Sequence, residues 1–463
     1  MRQFFSTYRW QLALVIVLLL ATVFYSVSYL KRVSYAYLYG YPLVLMSLTK
    51  DTMLAEAGAG MQLNAFNHIQ DFPDHSFRDV VRPNVDTLYS IAWLDLSTTP
   101  IVLTVPDMGD RYYVMPLMDA WTNVFAMVGK RTHGTQAGRF LIAGPDWQGE
   151  VPDNMELIPA PSNMVWIIGR IQTNGKQDIP AVANLQKGFR LEPLESSSLS
   201  GSAQPYSLVS LADRGEKGPA TRLNEMPNIE FLAVMAELMA EQYPAAADTD
   251  MIRSLEKIGV KPGQSVDASQ YNFIQRRLID LAVSMTKEKV AEELASDRAI
   301  ENGWSVIRDG IGVYGINYPL RAVVSMVGLG ALPPEEASYP NAISDSSKRA
   351  LSGEHSYLIH FEPGQTPPVD AFWSLTMYDQ HGFLVDNPIQ RYAIGDRDDL
   401  HLNADGSLDI LIQKAPPSGA NVNWLPSPAE QFALTMRLYS PRAEFLDGSW
   451  RLPPVTRLPA PTN

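Results

Sequence analysis

Arg82, Asn84, Asp86 and Tyr89 fall together in RPNVDTLYS (82–90). If this segment is extended, Asn84 and Asp86 project to one side. Two short polar groups beside an Arg could grip a ligand carboxylate or sugar hydroxyls, or they could bond backbone groups at a strand entrance, as Asn and Asp do in turns. MDAWTNVF (118–125) repeats the alternation. There Asp119 and Asn123 flank Trp121, whose ring offers an apolar face to a saccharide or another amphipathic ligand, or simply closes the rim of a core. Further along, Trp373, Tyr378 and Asp379 end one strand and His381-Gly382 follows in a turn. His381 could act as a base with Asp379 near it, but no G-x-S-x-G elbow accompanies them. Asn423-Trp424-Leu425-Pro426 is a rigid segment. Its Trp424 either walls a pocket or plugs a core.

Other chemistries find less support. The chain has no Cys, which excludes disulfides, thiolate metal sites and a Cys nucleophile. The seven His include no H-E-x-x-H pair. His68 and His75, with Asp71 and Asp74, form an acid-rich cluster in a Pro-containing loop and read as surface. NADGSLDI lacks the later Glu of a calcium loop, and its Asp405-Gly406 reads as a hairpin turn. No metal and no cofactor is expected. After the first 32 residues, 33 basic residues face 50 acidic ones, so a nucleic acid is not expected as a partner.

The elements that must position these residues begin with an anchor. Trp10 to Leu30 is 21 residues without an ionisable acid or base. At about 1.5 Å per residue it spans the ~30 Å of a bilayer core, and Trp10, Tyr25 and Tyr29 sit where aromatic rings favour the interface. The rival reading is a cleaved signal peptide, but the run is long for a signal core and no A-x-A-like site follows. Arg2 and Arg9 set the N-terminus inside, against Lys31 and Arg32. The expectation is a single-pass inner-membrane protein, held in the bilayer by residues 10–30, with its bulk in the periplasm. A homo-oligomer is compatible with this.

Behind the anchor, residues 34–57 read as a helix that Pro42 kinks or cuts. Residues 101–105, 111–119, 123–129, 139–144 and 164–172 read as strands, and 196–219 as a Ser/Gly-rich linker. Helices follow at 230–243, 250–258 and 270–294, the last capped by Asp267 or Ser269. Strands return at 357–361, 371–379, 408–413 and 432–439. The domain plan is tip and anchor (1–32), helix with a first β-sandwich (33–195), linker and helical segment (196–345), and a second β-sandwich (346–463).

Several blocks resemble a bacterial two-domain family. RPNVDTLYSIAWLDL (82–96), RYYVMPLMDAWTNVF (111–125) and PDWQG (145–149) are similar to the domain of unknown function numbered 1254. WSLTMYDQHGFLVDNPIQRYAIGDR (373–397), NADGSLDILIQ (403–413), NWLPSP (423–428) and RLYSPRAEFLDGSWRLPPV (437–455) are similar to the one numbered 1214. The resemblance implies a mainly β fold: an immunoglobulin-like sandwich, a helical insert and a jelly-roll-like sandwich. It implies no assigned reaction. Two functions stay open: a cell-envelope protein that binds a small molecule or saccharide through aromatic-polar rims, and a metal-independent extracytoplasmic hydrolase.

Overall fold

The computed structural model describes residues 2–56, 62–78, 82–194, 218–295, 300–419 and 421–459, with the backbone alone for 2–10, 56, 294 and 295. The 196–219 linker lies almost wholly outside the described residues. The chain opens with one helix of 55 residues, α1 (Arg2–Glu56), about 80 Å long. Its first half is exposed and apolar from Leu12 to Val27, and it is long and apolar enough to cross a membrane. From Tyr29 onward the same helix enters the body, where Val33, Tyr37, Tyr41, Val44 and Leu48 are buried. Pro42 does not cut it. The packing of other helices and of a sheet around this half outweighs the ~3 kcal/mol that a mid-helix proline costs.

The N-terminal β unit holds β1 (Asn67–His68), β2 (Thr87–Asp95), β3 (Ile101–Val105), β4 (Tyr113–Asp119), β5 (Val124–Gly129), β6 (Gly138–Ala143), β7 (Glu156–Pro159), β8 (Met164–Gln172) and β9 (Arg190–Pro193), with short helices α2 (Lys130–His133) and α3 (Ile179–Gln186). One sheet runs β1-β2-β8-β4-β5 and the other β7-β6-β3-β9. Alternation sorts the first sheet's side chains. Leu88, Ala92, Leu94, Tyr113, Met115, Leu117, Val165 and Ile167 meet the second sheet in a shared core. Ile91, Trp93, Met118, Trp166 and Ile168 face the other way, onto the helices.

Those helices are α4 (Pro219–Glu225), α5 (Asn228–Glu241), α6 (Thr249–Glu256), α7 (Phe273–Ala295) and α8 (Tyr318–Gly328). Each packs against α1, whose buried half is thus the spine of the helical layer. Asp267 caps only a short 3-10 turn, through Ser269 N at 2.7 Å. α7 is capped instead by Asn272, whose Oδ1 accepts from Gln275 N.

The C-terminal β unit holds β10 (Ile300–Glu301), β11 (Trp304–Ser305), β12 (Ala337–Ser338), β13 (Asn341–Ala342), β14 (Tyr357–Phe361), β15 (Val369–Asp379), β16 (Ala393–Gly395), β17 (Leu408–Gln413), β18 (Trp424–Pro426), β19 (Phe432–Pro441) and β20 (Thr456–Arg457), with the short helix α9 (Ala443–Leu446). The larger sheet is β10-β11-β13-β19-β15-β16, with β12 also on β19; the smaller is β18-β17-β14-β20. Trp373, Leu375, Met377, Leu434, Met436 and Leu438 enter the core between them. Asp405-Gly406 makes the expected turn, with Gly406 at φ +84° and Leu402 bridged to Leu408.

Candidate functional site

The larger C-terminal sheet buries both of its faces. On β15 the residues between the core positions are Phe372, Ser374, Thr376 and Tyr378; on β19 they are Thr435, Arg437 and Tyr439. These face the N-terminal unit, where Tyr112 and Val114 pack with Phe372 and Tyr439. The Phe372 and Tyr439 rings stack at 4.3 Å, and Tyr112 meets Tyr439 edge-on at 5.6 Å. On the N-terminal side, Tyr89 of β2 is paired in register with Arg170 of β8, whose guanidinium lies 5.5 Å from the Tyr89 ring. The two β units therefore meet along a seam that is apolar at Phe372 and polar around it.

The segment before β2 is threaded into this seam. Arg82 has φ +54°, a left-handed conformation that a residue with a side chain rarely adopts. Its neighbours hold it there. Arg82 N donates to Gly382 O at 2.7 Å, Tyr378 Oη donates to Pro83 O at 2.7 Å, and Arg437 Nη2 donates to Arg82 O at 3.1 Å. Asn84 Nδ2 donates to Tyr439 Oη at 2.8 Å, while its Oδ1 accepts from Asp86 N at 2.6 Å. Asp86 is 1% exposed. Its carboxylate is ion-paired with Arg397 and accepts from Ser374 Oγ at 2.7 Å.

The charge balance of the seam is uneven. Among the described residues its two buried carboxylates are both engaged: Asp86 with Arg397, and Glu336 with Arg131 Nε at 2.6 Å and Tyr112 Oη at 2.6 Å. Arg82, Arg170 and Arg437 have no carboxylate within ion-pair distance among the described residues. Arg437 instead donates to Thr376 Oγ1 (2.7 Å) and Tyr378 Oη (2.6 Å), Arg170 to the carbonyls of Ile168 and Gly330, and Arg82 to Asn341 Oδ1. Burial pulls the Arg82 pKa down, and the nearby Arg437 charge adds to that. Burial also pushes the phenols of Tyr378 and Tyr439 up, which keeps them neutral. The half-buried Tyr339 lies in the field of both Arg170 and Arg437.

A cleft of about 410 Å³ opens along the seam, with Asp86, Thr173, Ser374 and Arg397 on its wall and Lys176 and Arg391 beside them. The buried Nε of Arg397 has no hydrogen-bond partner. The arrangement offers donors and positive charge. Its buried carboxylate, Asp86, is not a free base, because Arg397 and Ser374 occupy it; Asp398, also on the wall, accepts from Gly395 N through Oδ2 at 2.7 Å.

Of the residues singled out in the sequence, Arg82, Asn84, Asp86, Tyr89 and Tyr378 come together here. The others do not. Asp119 and Trp121 lie at the β4–β5 turn against the helical layer. Asp119 Oδ1 accepts from Trp121 N and Asn123 N at 2.9 and 2.8 Å, and Trp121 packs on Tyr39 at 4.7 Å. Burial raises the Asp119 pKa to about 6, although bonds from Asn123 oppose it. Trp373 points away from the seam into the C-terminal core, 5.6 Å from Phe361. Trp424 is buried on β18 and donates Nε1 to Gln413 O at 2.8 Å. His381 is exposed in its turn, where Asp379 Oδ1 accepts the backbone N–H groups of His381 and Phe383. Arg170, Ser374, Arg397, Arg437 and Tyr439 were not anticipated. The available signal was polar residues at alternate positions of the strand blocks WSLTMYD and FALTMRLY, where an arginine mid-strand stands out.

Two family descriptions match the chain: "Protein of unknown function (DUF1254)" over residues 63–193 and "Protein of unknown function (DUF1214)" over residues 336–443. The first span holds Arg82, Asp86 and Arg170; the second holds Tyr339, Arg397 and Arg437. No curated protein matches the chain. Among solved structures, the VPA0106 protein from Vibrio parahaemolyticus is similar over 93% of this chain and 100% of its own, at 24% identity and a TM-score of 0.70, a likeness of fold. An uncharacterized protein from Burkholderia cenocepacia covers 94% of this chain and 96% of its own, at 12% identity and a TM-score of 0.45.

Proposed function

Because the chain belongs to the family that couples a DUF1254 domain to a DUF1214 domain, and the seam between those domains holds an excess of buried cations, we propose that it is a membrane-anchored envelope protein that binds a small anionic molecule there. A carboxylate-bearing compound, acidic saccharides included, suits the donors. In this reading α1 is a single-pass anchor in the inner membrane and the body lies in the periplasm. The two β units are an immunoglobulin-like and a jelly-roll-like sandwich.

One observation carries the proposal: Arg82, Arg170 and Arg437 face the seam without a carboxylate partner among the described residues. A buried charge without a counter-ion costs several kcal/mol, and an anion entering the seam would offset that cost. Guanidinium forks suit carboxylates geometrically. Hydrolysis is the weaker reading. Ser374 is a serine held by a carboxylate, but that carboxylate is already committed to Arg397.

Thermal unfolding in the presence of small carboxylates, phosphates and neutral sugars tests the proposal. Anions should raise the Tm of the wild type and leave Arg437→Met unmoved, while the ligand-free Tm of that variant stays level or rises. If no anion shifts the wild type and Arg437→Met melts lower, these arginines only brace the domains.

A further inference from the structure

α7 begins in a reciprocal capping box, with Asn272 N donating to Gln275 Oε1 and Gln275 N to Asn272 Oδ1, both at 3.0 Å. Its first turn is therefore well formed. The helix lies beside α1 and runs parallel to it. Ser34 Oγ donates to Ala282 O at 3.4 Å, and further along both helices Lys287 lies 5.6 Å from the Tyr37 ring. Moving back along α7 from Ala282 to Phe273 covers about 13 Å at 1.5 Å per residue. That places Phe273 level with Tyr25 of α1, where the anchor helix is still exposed.

At this level α7 exposes two large apolar side chains, Phe273 (71%) and Ile274 (65%). No element among the described residues covers them. The same zone gathers Lys31 and Arg32 from α1 and Arg276 and Arg277 from α7, in a body whose balance is strongly acidic. Arg277 lies 5.4 Å from the Phe273 ring, and Arg276 Nε donates to Tyr271 O at 2.9 Å. Apolar tips beside cations, level with the end of a membrane-spanning run, match the boundary between acyl chains and anionic headgroups.

We infer that the first turn of α7 is a second membrane contact, with Phe273 and Ile274 entering the bilayer that α1 crosses and Arg276 and Arg277 meeting its phosphates. This rests on α1 being an anchor. Two contacts on different helices would stop the body from swivelling about α1 and hold the inter-domain cleft at a set attitude to the membrane.

The absence of Cys makes a direct test simple. Full-length protein carrying a single nitroxide at Leu18→Cys, Phe273→Cys, Ile274→Cys or Asp146→Cys is reconstituted into phosphatidylethanolamine–phosphatidylglycerol vesicles. Collision with oxygen and with a water-soluble nickel chelate is then compared. Labels at 18, 273 and 274 should favour oxygen several-fold over the label at 146. Nickel access at 273 and 274 equal to that at 146, with 18 shielded, overturns the inference and leaves the anchor standing. Nickel access at 18 as well overturns both.

Discussion

Ser374 Oγ donates to Oδ2 of Asp86 at 2.7 Å, joining residues 288 positions apart. Arg397 completes the contact from the C-terminal side. One buried carboxylate thus ties the two β units together at the wall of the cleft.

Removing that carboxylate should separate pairing from packing. Asp86→Ala leaves the partly buried Arg397 guanidinium with Asp396 alone, whose Oδ1 is 3.9 Å from its Nε, a loss of up to about 3 kcal/mol. Asp86→Ala with Arg397→Met should recover most of it, because the poorly compensated charge is gone. Urea unfolding of both variants measures this, and a double variant no more stable than the single one would count against an ion-pair origin.

Asp119 should make stability depend on pH. Its folded pKa of about 6 lies above the ordinary value of 3.8 because burial disfavours the charge. The folded state therefore holds the proton more tightly. Its contribution is full below pH 3.8 and is lost as pH rises through about 6, at ~1.4 kcal/mol per unit of separation. Asp119→Asn should flatten the stability curve between pH 4 and 6, as followed by chemical denaturation at each pH.

Gly395 pairs with Ser374 across β15 and β16, and a Cβ there would collide with the Trp373 carbonyl oxygen. The obstacle is backbone and cannot rotate away. Gly395→Ala should cost about 1–3 kcal/mol and displace Arg397, two residues on. A lower Tm, together with loss of any anion-induced shift, is the expected result.

Truncation should find the border between the exposed apolar half of α1 and its buried half. Removing residues 1–28 takes away the exposed apolar run and spares Tyr29 and everything buried after it. The fragment should fold and stay in the supernatant after an alkaline carbonate wash. Removing residues 1–48 strips Tyr37, Tyr41, Val44 and Leu48 from the core, at about 1.5–3 kcal/mol each, and should leave no cooperative transition by circular dichroism.

Local pattern carried much of this molecule. The uncharged run at 10–30 falls in a helix long and apolar enough to cross a membrane, a property that length and composition alone set. The spans 164–172, 357–361 and 408–413 match β8, β14 and β17 residue for residue, because alternation and turn residues act over a few positions. The continuity of α1 through Pro42 was not legible, since helices far along the chain compensate for the proline. Nor did the sequence sort the aromatic-polar blocks. Asp119 and Trp121 look like Asp86 and Tyr89 in composition, yet the first pair closes a turn against helices while the second faces another domain. Which face of β15 meets a core and which meets the seam depends on partners hundreds of residues away. Alternation separates Trp373 from Tyr378, but only the docking of the two domains turns Tyr378, Arg437 and Arg82 toward one another and leaves the two arginines without a carboxylate partner among the described residues.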